Sequence, residues 1–101
     1  MKLLHIANGE TPHSRVFSPL MTDALRKFGE LTFLTHGDCM PDEEKAIHIR
    51  NCDILLTGWG SAPVPECVAD DCGNLKYICH IQPLHLIYNF VECLFCANLN
   101  F

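Results

Sequence analysis

The spacing of apolar residues changes repeatedly along this chain, and each change predicts a new element. KLLHIA (2–7) is a short apolar run that stops at Asn8-Gly9, the pattern of a strand entering a turn. Ser18-Pro19 then supplies an N-cap and a first helical residue. Leu20, Met21, Ala24, Leu25 and Phe28 recur at helical spacing until Gly29 ends the element, while Asp23, Arg26 and Lys27 lie off the apolar face. LTFLT (31–35) predicts a second strand, stopped at His36-Gly37-Asp38. Pro41 opens a second helix with Asp42, Glu43 and Glu44 in its first turn and Arg50 in its last, the charge order that the macrodipole favours. DILLT (53–57) is a third strand, and its lack of polar alternation predicts that both its faces are covered. Pro65 begins a short third helix that Gly73-Asn74 closes, and LKYICHI (75–81) is a fourth strand.

A β-α-β-α-β-α-β order with short connections predicts an α/β fold in which right-handed crossovers build a doubly wound, flavodoxin-like parallel sheet. If the strands lie in the order 2-1-3-4, the topological switch falls between the first and third, and ligands of such sheets sit beyond the carboxyl ends there. This places Asn8-Gly9-Glu10 and Gly58-Trp59-Gly60-Ser61 on either side of one crevice. Residues 1–81 make up this single domain. The remainder, QPLHLIYNFVECLFCANLNF (82–101), is different in kind, with Glu92 its only charge. Leu84, Ile87, Val91 and Leu94 give it a helical stripe without clear caps, and Asn89, Glu92 and the later asparagines make it a poor membrane span. Such a tail must pack or associate, which predicts a route to homo-oligomers.

Composition narrows the function classes. The 101 residues carry 7 basic and 12 acidic side chains, for a net charge of −5. The basic residues are scattered, so neither nucleic acid nor an anionic membrane has an electrostatic footprint here. Seven cysteines are an odd number for a disulfide scaffold, and the N-terminal apolar run is shorter than a secretory core. The expectation is a reduced, cytoplasmic protein. Cys93 and Cys96 have C-x-x-C spacing but lack the strand-to-helix setting of a redox pair, and Cys67, Cys72 and His80 have no diagnostic zinc spacing. No metal site is expected.

The candidate chemistry is concentrated after the third strand. Gly58-Trp59-Gly60-Ser61 reads either as a ligand loop, where glycines let backbone approach an anion and Ser61 adds a hydroxyl, or as a turn whose tryptophan covers the core. Asn8-Gly9-Glu10-Thr11 reads as a plain turn, because no G-x-G-x-x-G or Walker loop occurs in the chain. Of the six histidines, His36 and His80 follow strands and can face the crevice, but none has an orienting partner assignable from sequence.

From Cys52 to His80 the chain reads CDILLTGWGSAPVPECVADDCGNLKYICH. Asp53 before an apolar strand, Thr57-Gly58-Trp59-Gly60 with Pro63 after it, a helix near Pro65, and Asn74-Leu75-Lys76 leading into a strand ending at His80 resemble the first domain of the D-isomer-specific 2-hydroxyacid dehydrogenases. Residues 1–35 fit that domain without being specific to it. The resemblance implies a substrate, or lid, domain that closes over a separate domain carrying NAD or NADP. Hydride then passes between nicotinamide and C2 of a small 2-hydroxy or 2-oxo acid. It implies substrate contact by Gly58, Trp59, Gly60 and Ser61, and by His80 and Ile81 at the next strand end. The family's catalytic Arg, Glu and His have no counterparts here, so this chain by itself is expected to bind no cofactor and transfer no hydride. Gln82-Pro83-Leu84 departs from the family's Gly-rich continuation, as a truncated or frameshifted member would. The rival expectation is a stand-alone flavodoxin-like binding or interaction module.

Overall fold

The computed structural model describes residues 1–12, 17–58, 60–84 and 88–95, with the backbone alone for 82–84 and 88–95. Its elements are β1 (Lys2–Ile6), α1 (Pro19–Phe28), β2 (Glu30–Leu34), α2 (Asp42–Arg50), β3 (Ile54–Gly58), α3 (Cys67–Asp70), β4 (Tyr77–Leu84) and β5 (Tyr88–Phe95). The sheet order is β2-β1-β3-β4-β5. The first four strands are parallel, in the flavodoxin-like order, and the switch lies between β1 and β3 as expected.

Local signals account for the helix ends. Ser18 accepts a hydrogen bond from the Met21 N–H at 3.1 Å, Pro19 occupies the first turn, and Gly29 terminates α1. α2 begins after Pro41 with three acidic residues and ends with His48 and Arg50. α3 is shorter than the sequence suggests: Pro65 closes only a turn with Val68, and the helix proper starts at Cys67.

Two apolar layers flank the sheet, so the fold is doubly wound. Leu4, Ile6, Leu55 and Ile78 point toward α2 and α3, where they meet Ala46, Ile49 and Val68. Leu3, Leu56, Cys79 and Ile81 point the other way, with Phe17 and the Met21 and Leu25 side of α1. Successive residues of β1, β3 and β4 alternate between these layers, which explains the unbroken apolar runs of the sequence. At the amino edge, Asp53 accepts from the Lys2 N–H at 2.7 Å and lies 3.7 Å from the Lys76 ammonium, fastening three parallel strands together.

The expectation of a helix after residue 82 is corrected. Tyr77–Leu84 and Tyr88–Phe95 pair as antiparallel strands, in register from Tyr77↔Phe95 to Leu84↔Tyr88. A segment with one charge, no caps and several aromatic or β-branched residues meets the unpaired edge of β4, and edge hydrogen bonding outweighs a weak helical stripe. Residues 85–87 and 96–101, including Ile87 and Cys96, lie outside the described residues. No described helix is long and apolar enough to cross a membrane. Cys39, Cys52, Cys67 and Cys72 are free thiols, whereas Cys79 is disulfide-bonded, so the expectation of a fully reduced chain does not hold at that position.

Candidate functional site

The carboxyl ends of β1, β2 and β3 carry three loops, and the structure ties them to one another. The Asn8 N–H donates to the Gly60 carbonyl at 2.8 Å, and Asn8 Nδ2 donates to the Ser61 carbonyl at 3.2 Å. Ala7 and Ser61 form an isolated antiparallel bridge, and the Ala62 N–H reaches the Ile6 carbonyl at 2.9 Å. On the other side, the Gly37 N–H donates to Ala7 and the His36 N–H to Gly9, both at 2.8 Å, while Asp38 accepts from the Gly9 N–H at 2.7 Å. The two stretches expected to flank an open crevice are therefore bonded together. What they form is a continuous rim, and a ligand at the switch point would rest on it rather than between its halves.

Backbone geometry explains the residues at two of these positions. Gly60 has φ +81°, and a Cβ there would lie 2.9 Å from Thr11 Cγ2. Gly37 is buried, and a Cβ there would come within 2.6 Å of both Ala62 Cβ and Ile6 Cγ2.

Ser61 is the most constrained of the expected site residues. Its hydroxyl lies 2.7 Å from Nε2 of His5 and accepts from the Gly58 N–H at 2.8 Å. Gly58 takes one of the hydroxyl's two lone pairs, and either the other lone pair or the hydroxyl hydrogen meets Nε2, according to the imidazole tautomer. His5 is fully buried, edge-on to Phe17 with ring centroids 4.9 Å apart, so a histidine read from sequence as unassigned fixes Ser61 from beneath.

His80 belongs to a different group. Its Nδ1 lies 3.0 Å from Thr57 Oγ1, and the two residues are register partners. Both lie two positions beyond residues of the α2/α3 layer, Leu55 and Ile78, and so face that side; His5 faces the α1 side with Phe17. The structure thus brings Gly58, Gly60 and Ser61 together and leaves His80 across the sheet from the Ser61–His5 pair. Ile81 serves the core, with its side chain fully buried in the α1-side layer. Trp59 lies outside the described residues.

Two residues escaped the sequence reading. Asn8 looked like half of an Asn-Gly turn, but its Oδ1 is buried without a hydrogen-bond partner among the described residues. Lys45, one of the scattered basic residues, is 6% exposed, with Nζ 3.5 Å from both the Pro63 carbonyl and Asp42. Its aliphatic stem covers the α2-side core while the ammonium reaches the loop after β3. His36 is exposed, has φ 58°, and lies 4.0 Å from Glu10, so it decorates the rim.

Searches of family models, curated proteins and solved structures find no match to this chain. Two amides of the rim are already used: Gly58 donates to Ser61 Oγ, and Gly9 donates to a carboxylate. No cluster of His, Cys, Asp or Glu among the described residues could hold a metal ion. A cavity of about 280 Å³ lies elsewhere, beneath α2 at the β1–β2 side, where Glu30, Thr32, His48 and Asn51 are among its walls.

The Gly9 hydrogen bond holds the Asp38 carboxyl below the ordinary aspartate range, and the Lys2 N–H, aided by Lys76, does the same for Asp53. A carboxylate with a lowered folded pKa contributes stability above its unfolded value, roughly 3.9, and loses it as the pH falls through the folded value. Asp38→Asn is expected to be less stable than the parent at neutral pH and to lose less on acidification. Denaturant melts at neutral and acid pH check this, and parallel pH profiles for the two proteins would contradict the assignment.

Proposed function

We propose that this chain is the substrate-facing, lid domain of a 2-hydroxyacid dehydrogenase. In this reading a small 2-hydroxy or 2-oxo acid contacts the rim at Asn8, Gly58, Gly60 and Ser61. NAD or NADP and the residues that move hydride and proton belong to a second domain, and this chain completes no reaction alone.

The observation that carries the reading is the buried Asn8 Oδ1 beside Ser61, at the switch point of the parallel sheet. Asn8 Oδ1 is a buried acceptor with no hydrogen-bond partner among the described residues, beside a Ser61 hydroxyl that accepts from Gly58 and pairs with His5. Such a wall suits the hydroxyl of a 2-hydroxy acid better than a bare carboxylate. The resemblance of Cys52–His80 to the first domain of that family adds the reaction class. The domain's contribution is then to orient the hydroxyl and exclude water when two domains close.

Amide NMR titration of the isolated chain tests this. Lactate is expected to shift Asn8, Gly60 and Ser61 saturably, with millimolar affinity because half the site is absent, while propionate, which lacks the hydroxyl, leaves them in place. Equal responses to the two acids, or none, would overturn the reading.

A further inference from the structure

Cys79 is disulfide-bonded, and the register of the sheet bears on its partner. The chain has seven cysteines, and Cys39, Cys52, Cys67 and Cys72 are in no disulfide, so within the chain only Cys93 and Cys96 remain. Of these, Cys93 stands directly opposite Cys79 in the antiparallel ladder of β4 and β5. Directly opposite residues of such a ladder have Cα atoms about 4.5 or 5.5 Å apart, according to the hydrogen bonding of the pair, and project to the same face. A disulfide spans Cα separations of about 4.4 to 6.8 Å, so either kind of pair can carry one without backbone movement. A second chain is a poor source of the partner, because Cys79 is 7% exposed and belongs to the α1-side layer with Leu3, Leu56 and Ile81.

We propose that Cys79 and Cys93 form a cross-strand disulfide, a thiol-redox site that sets how firmly β5 covers the edge of β4. β5 is the terminal strand of the sheet and is held by β4 alone. With the bond open, only the backbone ladder secures it. With the bond closed, a loop of about 15 residues is tied off, and β5 cannot leave while β4 keeps its place in the core. The covering has a use, because a bare β4 would offer a row of unpaired N–H and C=O groups to other chains. Closing the bond removes two electrons and two protons from the two thiols, and a small disulfide of the oxidised-glutathione class accepts them. One cysteine thiolate attacks that disulfide and releases a small thiol; the other cysteine then displaces the second small thiol and completes the protein disulfide. Excess small thiol runs the same exchange backwards. The site is independent of the substrate reading, since no rim residue takes part.

Peptide mapping of the full chain, purified without reductant and with its open thiols alkylated, tests the pairing. Cleavage after Lys76 and after Glu92 puts Cys79 and Cys93 in separate peptides, which are expected to stay joined until reductant is added. A further cut after Phe95 parts Cys96 from Cys93 without any substitution, and the joined species is expected to keep Cys93 and lose Cys96. A join through Cys96, a dimer band on a non-reducing gel that carries the Cys79 peptide, or peptides that are never joined overturns the proposal. Amide hydrogen exchange tests the redox role. Excess reduced glutathione is expected to speed exchange over residues 88–95 at least about tenfold relative to the untreated chain. Equal exchange in the two conditions, with the bond shown to be open in one of them, overturns the proposal as well.

Discussion

Gly37→Val is expected to destabilise the protein by about 3 kcal/mol, the upper end of the cost of overpacking a filled site. The reason is geometric. A Cβ at residue 37 would sit 2.6 Å from Ala62 Cβ and 2.6 Å from Ile6 Cγ2, and 3.2 Å from the Ala7 carbonyl oxygen. Those three atoms belong to the end of β1 and to the loops after β1 and β3, all held by hydrogen bonds, so relief requires the β2 loop to lift away. Lifting it would break the bonds from Gly37 to Ala7 and from His36 to Gly9. Urea unfolding reads the effect as a lowered midpoint at constant slope. A variant within about 0.5 kcal/mol of the parent, the usual range for surface substitutions, would mean that the loops are not packed as described.

The second large effect is expected at Ser61. Ser61→Ala removes the hydroxyl that Nε2 of His5 bonds and the acceptor of the Gly58 N–H, for a cost of about 2 to 3 kcal/mol. The double-mutant cycle with His5→Leu separates this from general damage. When the donor and its buried partner are both replaced by apolar groups, much of the penalty disappears, so the two substitutions should couple by about 1 to 2 kcal/mol. Simple additivity would show that the 2.7 Å contact contributes nothing to the fold.

The contrast between these two sites and the rest of the fold shows what the chain displays locally. Ser18-Pro19, Gly29, the acidic turn after Pro41 and the apolar run at Ile54 announce their elements because each signal acts within a few residues. The sheet order follows from chain economy and the handedness of crossovers. Ser61 is another matter, because its meaning depends on His5, 56 residues away. No spacing rule reports a hydroxyl aimed at a buried imidazole, and the same holds for Asn8 and for the burial of Lys45. Ile81 was legible in hindsight: two residues after Cys79, it had to share that residue's layer. The C-terminal segment misled because apolar residues at helical spacing were weighed without the open strand edge beside which they lie. In α1 the wheel showed an apolar face but could not show that the sheet covers only part of it.

The cross-bonded rim also bears on how the protein can move. Loops at strand ends are ordinarily the parts that open first, each on its own. Here opening any one of the three would strip hydrogen bonds from the others, so the rim yields cooperatively or not at all. The positioning of Ser61 and Asn8 is then shared among all three loops and is lost only when they open together.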